Sequence, residues 1–563
     1  MYYRTDPMSY FRSISHFKTK RLVYDTYFLS SHAKNQRPTT MPSHFIHYCS
    51  RFMESNTFPP PSPLFLLFNH EILLLNANGF LQRLHSINSI NCLQASIRPR
   101  DFPPGPPCLA FLGSLPYLDV RNLSKSFSKL QERHGDVFSV FIGSTPVVVL
   151  NGWKTIKEAF ERPEFSGRPG NFSGTFFQKG KTGITTTEGK HWSSQRNFLI
   201  DYLENISRSG SQGFQDIMMD EVTDLKLDLT KKLSEPIAVS YKLNVCIINI
   251  LWNLCCGRRL HAQQQEFQTV YECVDKITQF MSRAAIFSFL PILTKVLPES
   301  VTKIEKGRYY RNRFHEISEK WIREHRQEYR GNRTGDLQDL YLEKVNKGED
   351  NFTEQGLAAM IREIFVIGSE SVSVMLRWSL RILSCHPEVQ EKVQEELDRV
   401  CGRGVDVTWD KSDQLPYTMA IVKEVQRFAD IAPTGLMHKT VCDATLQGYH
   451  LPANTLIMAN FTSCHQSTEF WKHPEKFHPE HFLENGKLIE NKEGFMPYGL
   501  GTRICPGMKL ADMELFLILS NILSSYQLVM VEGDDGDLGT QFEGGTAVLR
   551  NPKPYRVVFE NRS

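Results

Sequence analysis

The stretch that decides the reading runs Tyr498-Gly-Leu-Gly-Thr-Arg-Ile-Cys-Pro-Gly507 and continues as M-K-L-A-D-M-E-L-F-L-I-L, whose apolar positions recur at helical spacing. A glycine-rich loop here delivers one thiol, Cys505, to the start of a helix. Gly499, Gly501 and Gly507 permit turns and close approaches that a Cβ would block, so that backbone amides can point at the sulfur. Those amides and the helix dipole favour thiolate over thiol.

The chain has 563 residues, of which 41% are hydrophobic and 23% charged, enough to bury a large core and unlike a disordered or fibrous chain. No fixed-period repeat points to a solenoid or propeller. Residues 1–100 carry 11 Lys/Arg against 4 Asp/Glu, leaving 54 against 58 in the remainder. The part expected to be catalytic is therefore slightly acidic, which excludes nucleic-acid binding through a basic stripe. Twelve scattered cysteines contain no C-x-x-C pair and no zinc spacing, and they read as thiols in a reducing compartment.

The first hundred residues form a basic segment with a membrane-anchor candidate at 62–81, interrupted by Asn69, His70 and Glu71. A carboxylate near the bilayer centre is costly, so a shallow or partial anchor is expected rather than a spanning helix. Residues 1–40 loosely match a mitochondrial transit peptide but lack a clean amphipathic helix. The run D-F-P-P-G-P-P, Asp101 to Pro107, is too stiff for a helix or a central strand and marks the start of one folded domain, 101–563.

The loop resembles the signature of the cytochrome P450 superfamily, F-x-x-G-x-R-x-C-x-G, with Tyr498, Gly501, Arg503, Cys505 and Gly507 on its positions. Tyr498 stands where Phe is usual. Its ring is expected to shield the sulfur and its hydroxyl to add a hydrogen bond that shifts the iron potential. The resemblance implies Cys505 as axial ligand of haem b, whose thiolate donates electron density that favours O–O cleavage.

Further motifs extend the resemblance from Phe102 to Phe559. Glu424 and Arg427 in K-E-V-Q-R share a helix face, and in the family such a pair joins a third residue to lock the cysteine loop. That residue is His481 of F-H-P-E-H-F, a replacement for the commoner Arg that is similar to animal microsomal members acting on drugs and steroids. The replacement is expected to make the network more pH-sensitive. Trp192 and Arg196 in H-W-S-S-Q-R, Arg503, and His438 in G-L-M-H-K-T fall where the family contacts the haem propionates.

Leu357 to Leu383 reads as a long helix that aligns with the family's oxygen-binding helix. Gly368 and neighbouring hydroxyls are expected to open its ladder over the iron. Glu370 beside Ser371 forms the expected catalytic proton relay. Ile367, Ser371 and Val372 depart from the usual small residue, Thr and hydroxyl. Phe176, Phe177, Ile367, Val372, Leu436 and Val548 fall in substrate-contact regions, and all six side chains are apolar.

The resemblance implies a mainly α fold with a smaller β-rich subdomain. The implied activity is a monooxygenase inserting one atom of O2 into a lipophilic substrate. NADPH-derived electrons would come from NADPH-cytochrome P450 reductase, with cytochrome b5 as a further partner, at the cytosolic face of the endoplasmic reticulum membrane. Rival readings keep the haem-thiolate but make it an isomerase or dehydratase of peroxides, or a non-catalytic ligand sensor. The alternative location is mitochondrial.

Overall fold

In the computed structural model the described residues are 98–109, 112–120, 122–169, 182–208, 212–260, 264–289, 297–328, 335–534 and 549–562. The anchor candidate at 62–81, together with Phe176, Phe177 and Val548, lies outside them. All described residues belong to one compact unit, Ser62–Ser563. Among them, no helix is long and apolar enough to cross a membrane.

The order, apart from one-turn helices, begins with α1 (Leu123–His134), β1 (Val137–Ile142), β2 (Thr145–Leu150), α2 (Trp153–Phe160), α3 (Gly189–Arg208) and α4 (Gln212–Thr230). Next come α5 (Ser240–Cys256), α6 (Gln265–Phe289), α7 (Ile304–Glu328), α8 (Leu337–Asn346) and α9 (Glu354–Glu363). A π-helical turn (Ile364–Gly368) joins α9 to α10 (Ser369–Ser384), followed by α11 (Pro387–Cys401) and α12 (Pro416–Ala429). Short strands β3 (His438–Lys439), β4 (Ala444–Leu446), β5 (Tyr449–Leu451), β6 (Leu456–Ala459), β7 (Leu483–Glu484) and β8 (Lys487–Leu488) precede α13 (Met508–Ser525). The chain ends in β9 (Tyr526–Met530) and β10 (Val557–Asn561). The protein is mainly helical with small sheets, as the sequence implied.

The β-rich part is built on the β1–β2 hairpin, where Ile142 pairs with Thr145 across a two-residue turn. Gly143 supplies the positive φ of 64° that such a turn needs. β2 then pairs parallel to β6, and β6 antiparallel to β3, so the sheet carries His438 toward the cysteine loop. The proline-rich segment docks on this sheet: Ser139 donates from its amide to Pro104 O at 2.6 Å and from its hydroxyl to Pro103 O at 2.7 Å. A Cβ on Gly105 would stand 1.9 Å from Ser139 O, so only glycine lets the segment lie this close.

The helical core centres on α10 and α13. From Met513 to Ser524 every residue of α13 is buried, so this helix is enclosed on all sides rather than amphipathic. It packs against α4, α10, α11 and α12, while α5 packs against α10. The expected long helix is present as α9, the π turn and α10. An extra residue in one turn breaks the regular ladder, as π-bulges do.

Candidate active site

The cysteine loop is held from both sides. Gly501 has φ +69°, and a Cβ there would stand 1.8 Å from Phe160 O at the end of α2, so the loop can close on α2 only with glycine. Gly499 also has positive φ. Gly507 differs from the expectation for it. Its φ is −92°, ordinary for any residue, and nothing lies within 4 Å of where its Cβ would be. What it contributes is its amide, which hydrogen-bonds Cys505 at the entry to α13. Burial pushes the Cys505 thiol up, while the Gly507 amide and the Arg196 cation pull it down. The residue still keeps accessible surface, so the sulfur is deep-set but reachable.

Around this thiol the fold gathers cations. Arg503 donates from Nε to Ser166 O at 2.8 Å and from an Nη to Thr187 O at 2.8 Å. Its guanidinium carbon sits 3.8 Å from the centre of the Trp192 ring, and that of Arg196 5.8 Å. Arg196 donates to Ile504 O at 2.5 Å, beside Cys505. His438 stacks on Phe160 at 4.1 Å and donates from Nδ1 to Phe165 O at 2.8 Å. Burial, with Arg168 next, holds His438 well below its ordinary pKa. The structure thus assembles Trp192, Arg196, His438 and Arg503, as the sequence reading grouped them.

It adds Arg168, which that reading missed. Arg168 is 7% exposed and donates to Leu436 O at 3.2 Å and Met437 O at 2.9 Å. Burial together with the cations Arg503 and Arg196 lowers it to about 9. Burial likewise lowers Arg503 to about 10. Glu188, ion-paired with Lys439 at 3.0 Å, is the acid that opposes both shifts. The single letter in S-G-R-P carries no cue; only the convergence of three guanidinium groups shows its role.

These residues fit haem b on their own atoms. Buried like charges are costly unless an anion joins them, and two propionates supply such charge. Trp192 Nε1 and Arg168 Nε are buried donors without a partner among the described residues. The electrostatics, the unused donors and the reachable thiol all call for the same anionic, thiolate-binding group.

Behind the loop, the Glu424–Arg427 pair is buried and fully satisfied. Both side chains are 0% exposed. Arg427 donates to Glu424 at 2.7 and 2.8 Å, to His465 O at 2.9 Å, to Pro474 O at 2.8 Å and to Lys476 O at 2.9 Å. All five guanidinium N–H groups are thereby used. His481 joins as expected: Nδ1 lies 3.1 Å from Glu424 Oε1 and Nε2 2.6 Å from Lys472 O. A second lock was not foreseen. His465 donates from Nδ1 to Asp430 at 2.9 Å and accepts at Nε2 from the Met496 amide at 3.1 Å, so it fixes the approach to the loop.

Tyr498 makes an added hydrogen bond through its hydroxyl, as expected. Its hydroxyl donates to Asp512 Oδ1 at 2.5 Å rather than to the sulfur. The physical reason is competition: a carboxylate is a much stronger acceptor than sulfur.

On the π-turn side, Ser371 Oγ donates to Gly368 O at 3.2 Å, and Ser369 Oγ donates to Phe365 O. Glu370 is paired with Arg377 at 2.8 Å, and burial raises its carboxyl despite that partner. A Cβ on Gly368 would meet Leu251 only at 3.5 Å, so the helix opening comes from the π turn and not from a tight glycine. Ile367 and Leu436 keep 38% and 41% of their surface, whereas Val372 is 4% exposed and packs in the helical core.

A helical fold that presents one deep cysteine thiol to an anion-seeking cationic pocket defines a haem-thiolate protein. A family model, Cytochrome P450, matches residues 103–559. The chain is 32% identical to Cytochrome P450 2C8 of Homo sapiens over 476 residues, 82% of this chain and 95% of that protein. It is 31% identical to Cytochrome P450 2J2 of Homo sapiens over 437 residues, 76% and 86% of the two chains. It is 33% identical to Cytochrome P450 2C16 of Oryctolagus cuniculus over 463 residues, 81% and 93%. The chain belongs to the cytochrome P450 family, whose members are monooxygenases using haem b, O2 and NADPH-derived electrons passed through a reductase.

Proposed function

We propose that this enzyme inserts one oxygen atom of O2 into a C–H bond or double bond of a lipophilic substrate. The second oxygen atom leaves as water, with two electrons from NADPH. NADPH-cytochrome P450 reductase, with cytochrome b5 as a further donor, is the proposed partner, at the cytosolic face of the endoplasmic reticulum. The observation that carries the reading is the reachable Cys505 thiol beside the Arg168, Arg196 and Arg503 cluster.

Bound haem supplies the redox and oxygen chemistry. Cys505 provides the thiolate, kept available by the Gly507 amide and Arg196. Arg168, Arg196, Arg503 and Trp192 would hold the anionic edge; His438, whose Nδ1 already donates to Phe165 O, would join them only by taking a second proton at Nε2. Ile367 and Leu436 offer apolar surface to the substrate. Ser371 holds a proton at its hydroxyl, and Glu370 is the adjacent acid. Their present partners are Gly368 O and Arg377, so delivery requires both bonds to exchange.

That inward arrangement also favours a second reading, rearrangement or dehydration of hydroperoxides, which requires no external electrons. The test is the carbon monoxide difference spectrum of the reduced protein, wild type against Cys505→Ala, followed by turnover assays. A thiolate-type Soret band lost in the variant, with product that depends on NADPH and reductase, supports monooxygenation. Turnover of a hydroperoxide without reductase supports the second reading, and a wild-type band unchanged in the variant overturns both.

A further inference from the structure

Tyr498 stands where the family signature has Phe, and its hydroxyl has a destination that no Phe has. Oη donates to Asp512 Oδ1 at 2.5 Å, and Gln426 Nε2 donates to the same carboxylate oxygen at 2.8 Å and to Tyr498 Oη at 2.8 Å. Three elements meet in this triangle: the cysteine loop, α12 and α13. It is built against the sulfur-bearing strand of the loop, because the Cys505 amide donates to Tyr498 O at 3.0 Å.

The charge in the triangle reaches the sulfur. The negative form of Asp512 pushes the Cys505 thiol up, and the negative form of Cys505 contributes to raising the Tyr498 phenol. Burial raises the Asp512 carboxyl above its ordinary value, and Tyr498, Gln426 and the cation of Lys423 limit that rise. Converging donors on one oxygen are the usual means of keeping a buried carboxylate ionised.

We propose that Tyr498, Asp512 and Gln426 form a positioning triad that holds a fixed negative charge beside the Cys505 ligand and lowers the reduction potential of the iron. Reduction adds an electron to the metal–thiolate unit, and an anion nearby in a poorly solvated interior opposes that addition. The inference rests on Cys505 being the ligand.

The test is an anaerobic redox titration of the haem-loaded wild type, Asp512→Asn and Tyr498→Phe, each accompanied by its ferrous–carbon monoxide spectrum. Asp512→Asn keeps an acceptor for Tyr498 but removes the charge. Its reduction equilibrium is expected to shift toward ferrous by about tenfold, 59 mV for a one-electron couple. Tyr498→Phe restores the residue usual in the family, and it removes the donor that keeps Asp512 ionised. It is expected to shift the potential in the same direction. Potentials unchanged or lowered in both variants, with a thiolate-type spectrum throughout, overturn the triad and leave Cys505 as ligand. A wild type without that spectrum overturns the ligand assignment, and the triad with it.

Discussion

Glu514 lies wholly inside α13, 2% exposed, with Oε1 unpartnered among the described residues. Burial alone lifts its carboxyl from the ordinary 4.5 to about 8. Between those values the unfolded chain releases this proton and the folded chain keeps it, so the unfolded state binds fewer protons. Stability therefore falls as pH rises through the window and levels off above about pH 8. At about 1.4 kcal/mol for each pKa unit, the full penalty approaches 5 kcal/mol, a large share of a typical folding free energy of about 5–15 kcal/mol. Glu514→Gln keeps the shape and removes the ionisation. Urea unfolding of wild type and variant at matched pH isolates this one group from all others that titrate. The variant is expected to be within about 1 kcal/mol of wild type near pH 5 and more stable by about 2–5 kcal/mol near pH 9. A difference that does not grow with pH, or a wild type that is the more stable at pH 9, refutes the argument.

Arg427→Ala leaves the buried Glu424 carboxylate without its cation and frees three loop carbonyls, an expected loss of about 3–5 kcal/mol read by the denaturant midpoint and by haem content. Gly501→Ala must displace Phe160 O or the loop itself; stability and haem uptake should both drop, while Gly507→Ala, facing open space at ordinary φ, should stay within about 1 kcal/mol of wild type. Arg168→Leu removes one of three mutually repelling cations but also the donor to Leu436 O and Met437 O, so the haem-free protein should change by less than about 3 kcal/mol while haem retention against a competing apoprotein weakens. Ser371→Ala tests the relay: more peroxide released per NADPH consumed is expected, and unchanged coupling would reduce Ser371 to a cap on Gly368 O.

The motifs that were legible in the chain are those whose parts are contiguous or share one helical face. The Cys505 loop is ten successive residues running into α13, and Glu424 and Arg427 are one turn apart, so local geometry alone brings them to the same side. The π turn was foreshadowed by a long helix with hydroxyls around Gly368, although not by any tight packing of that glycine. Apolar periodicity likewise marked α13, but not that it is enclosed on every side, since a helix buried all round and one buried on a single face can both begin with the same repeat.

What only the tertiary structure decided are the partners that come from distant segments. Arg503 meets Ser166 across 337 positions and Arg168 meets Leu436 across 268, so the cationic pocket exists only once the β1–β2–β6–β3 sheet and the cysteine loop are packed together. The same holds for the direction of the Tyr498 hydroxyl. The sequence by itself placed an aromatic ring and a phenol beside the thiol; α13 and α12 supplied the carboxylate and amide that turn that phenol away from the sulfur. Side-chain identity is local information, whereas a hydrogen bond or a Coulombic neighbour depends on distances that the folded chain alone establishes.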